Sequence, residues 1–110
     1  MSSCHNVPFK LGDYNIYDIN GGIFRAVSQH EIILFNAEYG NGCLISNILS
    51  YTDKNTNRCY KAPRYVAKYV PKVHIFAQQL LLHDYLWDYK NRVPALITYN
   101  KRMLIKQGGE

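Results

Sequence analysis

Polar and apolar residues alternate through the first half of this chain and recur at helical spacing through the second. Tyr14, Ile16 and Asp18 fall on one face of a period-two segment, and Asn20-Gly21-Gly22 then offers the positive-φ positions of a tight turn. Residues 23–27 and 32–36 are β-branched and aromatic runs of strand length. Glu38-Tyr39-Gly40-Asn41-Gly42 is a hairpin signal, with residues 43–49 as its return strand. Together these predict a small antiparallel β meander. Thr52-Asp53-Lys54-Asn55-Thr56-Asn57 has no apolar anchor and predicts a loop.

Pro63 and Pro71 bracket residues 64–70, which have room for about two helical turns or one strand. From Val73 the period changes: Phe76, Leu80, His83 and Trp87 recur at steps of four, three and four, widened by Ile75, Leu82 and Leu86. This spacing predicts a core helix that fades at Asp88-Tyr89-Lys90-Asn91. Pro94 suits the first position of a second helix, from Ala95 to about Lys106, with Leu96, Tyr99 and Met103 on one face and Gly108-Gly109 as its stop. The expected fold is α+β, an N-terminal meander packed by two C-terminal helices. Residues 1–110 read as one domain: 1–53 mainly strands, 54–72 a loop and a basic-aromatic segment, 73–107 two helices.

Length and composition limit the function classes. A chain of 110 residues with 47% apolar content can bury one core and not two. No window reaches the ~18 uncharged apolar residues of a membrane span. Residues 1–10 lack a basic start leading into an apolar run, so no secretory leader is expected. Charge is unevenly spread. Residues 1–53 hold two bases and five acids, or −3, whereas residues 54–110 hold eleven bases and three acids, or +8. Such a chain is suited to meet nucleic acid, or to dock head to tail on copies of itself or on an acidic neighbour. Cys4, Cys43 and Cys59, an odd number widely spaced, fit free thiols in a reducing compartment. Cys4 beside His5 would start a zinc site, but no second pair completes four ligands, and neither a metal nor a cofactor is expected.

Three places carry candidate chemistry. His83-Asp84 joins an imidazole and a carboxylate, yet neighbouring helical side chains point about 100° apart and cannot bond directly. His83 is therefore expected as a core histidine satisfied by a partner such as Asp53, with Asp53 and Arg64 brought close to it. Asp53, His83 and Asp84 are also the set from which a small hydrolase would be built. Ser46 and Ser50 have nothing nearby in sequence to activate them.

The third place interleaves cations with rings: Arg58, Tyr60, Lys61, Arg64, Tyr65, Lys68, Tyr69, Lys72 and His74. Single-stranded nucleic acid is bound by stacking faces beside cations, so Arg58, Lys61, Arg64, Tyr65, Lys68, Tyr69 and Lys72 are candidate contacts. At helical spacing, Lys61, Arg64, Lys68 and Lys72 would align. An amphipathic segment covering the sheet has the same pattern. Tyr65-Val66-Ala67-Lys68-Tyr69-Val70-Pro71-Lys72 also resembles the tyrosine motif of rolling-circle replication nucleases, where a metal on a His-hydrophobic-His pair holds the DNA phosphate. His5, His30, His74 and His83 are isolated, so that charge-stabilising partner is missing.

Thr52-Asp53, Ala62-Pro63-Arg64 and His83-Asp84-Tyr85-Leu86 resemble a family of tailed-phage and prophage proteins catalogued as domain of unknown function thirteen fifty-three. Its members show a Thr-Asp, a Ser-x-Pro-Arg, a helix ending in His-Asp-Tyr-Leu and a last helix with an Ala-Asp start. This chain departs in the long gap between Asp53 and Ala62, in Lys61-Ala62 where the serine is expected, and in Leu96 after Ala95. The resemblance implies a phage product, a virion structural or assembly component of the tail or baseplate, without catalysis. Its partners would be other phage structural proteins, and its location the virion or the host cytoplasm.

Overall fold

The computed structural model describes residues 8–108 and shows an α+β fold. Six strands follow one another in space as they do in sequence: β1 (Phe9–Leu11), β2 (Tyr14–Asn20), β3 (Ile23–Val27), β4 (Glu31–Gly40), β5 (Cys43–Asp53) and β6 (Arg58–Tyr60). Each pairs antiparallel with the next. The β4–β5 hairpin closes through Asn41 at φ 53° and Gly42 at φ 77°, the double left-handed turn that matches strand twist. A Cβ on Gly42 would also meet the Arg102 guanidinium of the last helix, a flexible side chain that would have to swing aside.

The helical layer begins with α1 (Pro63–Val66), passes through a 3-10 turn (Ala67–Tyr69) and enters α2 (Val70–Leu82). Pro71 does not stop the chain here. It stands in the first turn of α2, where a missing N–H costs nothing. After α2, β7 (Trp87–Asp88) and β8 (Val93–Pro94) form a two-residue ladder, and α3 (Ala95–Gly108) follows directly. β7 joins β4 in parallel at Tyr39, past the end of β3, so the eight strands form one mixed, mostly antiparallel sheet.

Alternate residues of the strands build the core: Ile16, Phe24, Ala26, Ile33, Phe35, Ala37 and Tyr39 are buried on one sheet face. Val73, Phe76, Ala77, Leu80 and Leu81 of α2 cover them. Phe35 links the layers, its ring 5.6 Å from Phe24 and 5.7 Å from Phe76. Both long helices pack on this inner face. Among the described residues none forms a layer over the outer face, which carries Tyr17, Arg25, Leu34, Asn36, Ile45 and Asn47. The result is a slab of 52 × 33 × 23 Å whose radius of gyration, 15.1 Å, exceeds the ~13 Å of a compact domain this long.

Three expectations are corrected. Residues 52–57 do not form a long loop: β5 runs to Asp53, a four-residue turn follows with Asn57 at φ 61°, and β6 returns. Asp53 organises that turn, its carboxylate accepting the Asn55 N–H at 2.8 Å and its carbonyl the Asn57 N–H at 2.6 Å. The core helix starts earlier and ends earlier than its apolar stripe. It stops at Leu82 because Asp84 turns left-handed at φ 63°, with Asp84 N–H bonding Leu81 C=O at 3.1 Å and Tyr85 N–H bonding Leu80 C=O at 2.8 Å. That pair of bonds is a Schellman stop. His83 and Trp87 therefore leave the core stripe, and both are exposed. Cys43 and Cys59 are exposed and unbridged, while the Cys4-His5 pair lies outside the described residues. No helix among the described residues is long and apolar enough to cross a membrane.

Candidate nucleic-acid interface

Four tyrosines from four elements form one stack. Tyr51 stands on the inner face of β5, and the register sets Tyr60 of β6 opposite it, rings 6.1 Å apart and 19° from parallel. Pro63 starts α1 and so turns Tyr65 back onto Tyr60, at 4.7 Å and 18°. On the other side, the 3-10 turn sets Tyr69 on Tyr51 at 4.3 Å and 14°. The column thus runs Tyr65, Tyr60, Tyr51, Tyr69. Its outer ring, Tyr65, is 58% exposed.

Cations border the column. Arg58, Lys61, Arg64 and Lys68 are exposed, and the Lys68 ammonium lies 5.3 Å from the Tyr69 ring centroid. From Lys54 to Lys72 the chain holds six bases and no acid. The expected straight row of Lys61, Arg64, Lys68 and Lys72 is not formed, however. Lys61 precedes α1, and the 3-10 turn at Ala67–Tyr69 breaks the helical period between Arg64 and Lys72.

Lys72 has a different task. Its ammonium donates to the Tyr14 hydroxyl at 2.8 Å and to Glu31 Oε2 at 3.1 Å, while Tyr14 also donates to Glu31. It sits 5.2 Å from the Tyr14 centroid and 5.7 Å from that of Tyr69. Burial works against charge on Glu31, but hydrogen bonds from Tyr14, Lys72 and Tyr51 outweigh it and hold its pKa below the usual carboxylate range. Burial likewise opposes the Lys72 charge, and Tyr14 and Glu31 reverse that, raising its pKa. Tyr51 is raised first by its hydrogen bond with Tyr69 and then by burial. This network pins the foot of the column to β2 and β4, so Lys72 is a fastening and not an open phosphate contact.

The other candidates are dispersed. Asp53 is occupied by its own turn, Arg64 stands exposed beside the tyrosines, and His83 lays its ring 4.9 Å from Phe9. Among the described residues no hydrogen bond or ion pair joins Asp53, Arg64, His83 and Asp84, so the expected mutual satisfaction does not occur. Solvent supplies it instead, because ending α2 at Leu82 puts His83 and Asp84 at the surface. Ser46 and His74 make a pair that sequence reasoning missed: buried Ser46 Oγ on β5 meets His74 Nδ1 on α2 at 2.5 Å. They are 28 residues apart and nothing local marks them. Among the described residues, no group of three or more His, Cys, Asp and Glu side chains is arranged to hold a metal ion. No protein-family model, curated protein or solved structure matches this chain.

Proposed function

We propose that the protein binds single-stranded nucleic acid through the tyrosine column and its cationic border, with little regard for sequence. The observation that carries this reading is the union of an exposed terminal ring, Tyr65, with Arg58, Lys61, Arg64 and Lys68 in a stretch without acids. A base stacks on the open face of Tyr65, extending the column by one ring, and the cations engage the flanking phosphates. Because the lower three tyrosines are fixed by β5, β6 and the Lys72 network, the platform is ordered before the ligand arrives, which lowers the entropic cost of binding.

The test is fluorescence anisotropy of a labelled single-stranded oligonucleotide at several salt concentrations. Affinity falls steeply with salt, and the double variant Arg64→Ala/Lys68→Ala flattens the log–log slope by about 1.4, at ~0.7 per phosphate contact on a single strand. Tyr65→Ala weakens binding by about fivefold to a hundredfold, the range of one base–aromatic stack. Absence of salt-sensitive binding at micromolar protein, or a slope untouched by the double variant, overturns the reading. A second reading is favoured by the uncovered outer sheet face: an interaction module of a larger particle, the tail or baseplate role that the phage-family resemblance implies. Its test is stoichiometric recovery of the chain in purified particles.

A further inference from the structure

Sharing no residue with the tyrosine column, a cavity of about 370 Å³ opens between the β2–β3 turn and the segment that follows α2. Its inner wall includes the buried side chains of Phe24 and Leu86. Trp87 and Tyr89, 45% and 49% exposed, stand at its sides. Two carboxylates, Asp18 and Asp84, complete it, and neither has a hydrogen bond or ion pair from another described residue. The neighbouring bases Lys90 and Arg92 are not among its walls. We propose that this cavity binds an organic cation, specifically an alkylated (quaternary) ammonium group.

The size is that of a small-ligand site. Aromatic faces attract a cation through their quadrupole, and the effect is strongest for tryptophan and for a weakly hydrated ion. Asp18 and Asp84 set the sign of the charge; an anion would meet two uncompensated carboxylates. The Tyr89 hydroxyl already senses this environment, held above its usual range by burial first and then by the field of Glu38 and Asp18. A primary ammonium is compact and strongly hydrated and must shed that shell to enter. An alkylated ammonium is weakly hydrated and packs its methyl groups against the exposed rings of Trp87 and Tyr89.

The sequence contains a single tryptophan, so intrinsic fluorescence reports on the cavity itself. The full chain is titrated with choline chloride at fixed total ionic strength, and in parallel with 3,3-dimethylbutan-1-ol, the neutral isostere. Choline produces a saturable change in Trp87 emission, and the isostere binds at least about tenfold more weakly. Asp18→Asn and Asp84→Asn each weaken choline about threefold to tenfold. Both variants keep the fold, since the Asp18 carboxylate has no partner among the described residues and asparagine tolerates the left-handed backbone at position 84. An N-acetylated, trimethyl-lysine-containing peptide identifies the source of the group: binding tenfold tighter than choline assigns it to a protein side chain, and equal or weaker binding assigns it to a free small molecule. Equal binding of choline and its isostere, no saturable response to either quaternary probe, or unchanged affinity in both aspartate variants overturns the proposal.

Discussion

Asp88 is the residue in which the fold invests most polar chemistry. It is fully buried, and its carboxylate accepts the Lys90 and Asn91 N–H groups at 3.0 and 3.1 Å and the Asn91 side-chain amide at 2.8 Å. Burial by itself raises its pKa, but the bonds from Asn91, Thr98 and Lys90 prevail and lower it. A carboxylate with a depressed folded pKa contributes stability that is fully present above its ordinary value near 3.8 and is lost as pH falls through the folded pKa. Asp88→Asn replaces one acceptor oxygen by a donor facing a donor, and costs about 2–3 kcal/mol near neutral pH. Urea unfolding at pH 7 and pH 3 checks both halves: a large loss at pH 7, and a smaller gap between variant and parent at pH 3.

At the scale of elements, the end of α2 is where local and global preferences diverge. The stripe continues through Leu86 and Trp87, whereas the chain leaves the helix at His83 so that β7 can join β4 at Tyr39. The left-handed stop is taken by Asp84, a residue with a Cβ penalty that glycine lacks. Asp84→Gly accordingly stabilises the fold by about 0.5–1 kcal/mol, seen as a higher thermal midpoint, while weakening choline at the neighbouring cavity. A stop held by aspartate at a cost in stability is consistent with a use for its charge there. The β5–β6 hairpin shows the reverse case. Two short strand ends are held together by stacking of Tyr51 on Tyr60 and by the Asp53 turn, across a gap with no apolar residue.

The whole molecule is a one-sided slab built from two sequence halves of opposite net charge. Residues 1–53 sum to −3 and residues 54–110 to +8, so identical patches meeting across a two-fold axis repel, while a head-to-tail contact does not. The isolated protein is expected to be monomeric or weakly associating at physiological salt, with association growing as salt is lowered. Light scattering over a salt series measures this. A tight dimer indifferent to salt would instead assign association to apolar burial, for which the outer face with Leu34 and Ile45 is the available surface.

Period-two alternation over residues 14–49, the Asn41-Gly42 turn and the start of the last helix at Ala95 were legible in the sequence because each rests on the conformational preference of neighbouring residues, although Pro94, expected as that helix's first residue, ends β8 instead. So was the mixture of rings and cations that became the tyrosine column. What tertiary structure alone decided is everything that depends on distant partners. β1 and β6 are three-residue edge strands that exist because β2 and β5 offer unpaired backbone groups, not because their residues alternate. The tyrosine column needs Tyr51, Tyr60, Tyr65 and Tyr69 from separate elements, and no spacing rule joins them. Lys72 reads in sequence as one more surface cation, and only the approach of β2 and β4 to the start of α2 brings Tyr14 and Glu31 to neutralise it. Local propensity is written in neighbouring residues; partner choice is a property of the packed chain, where a buried or half-buried polar group binds whatever the topology sets within reach.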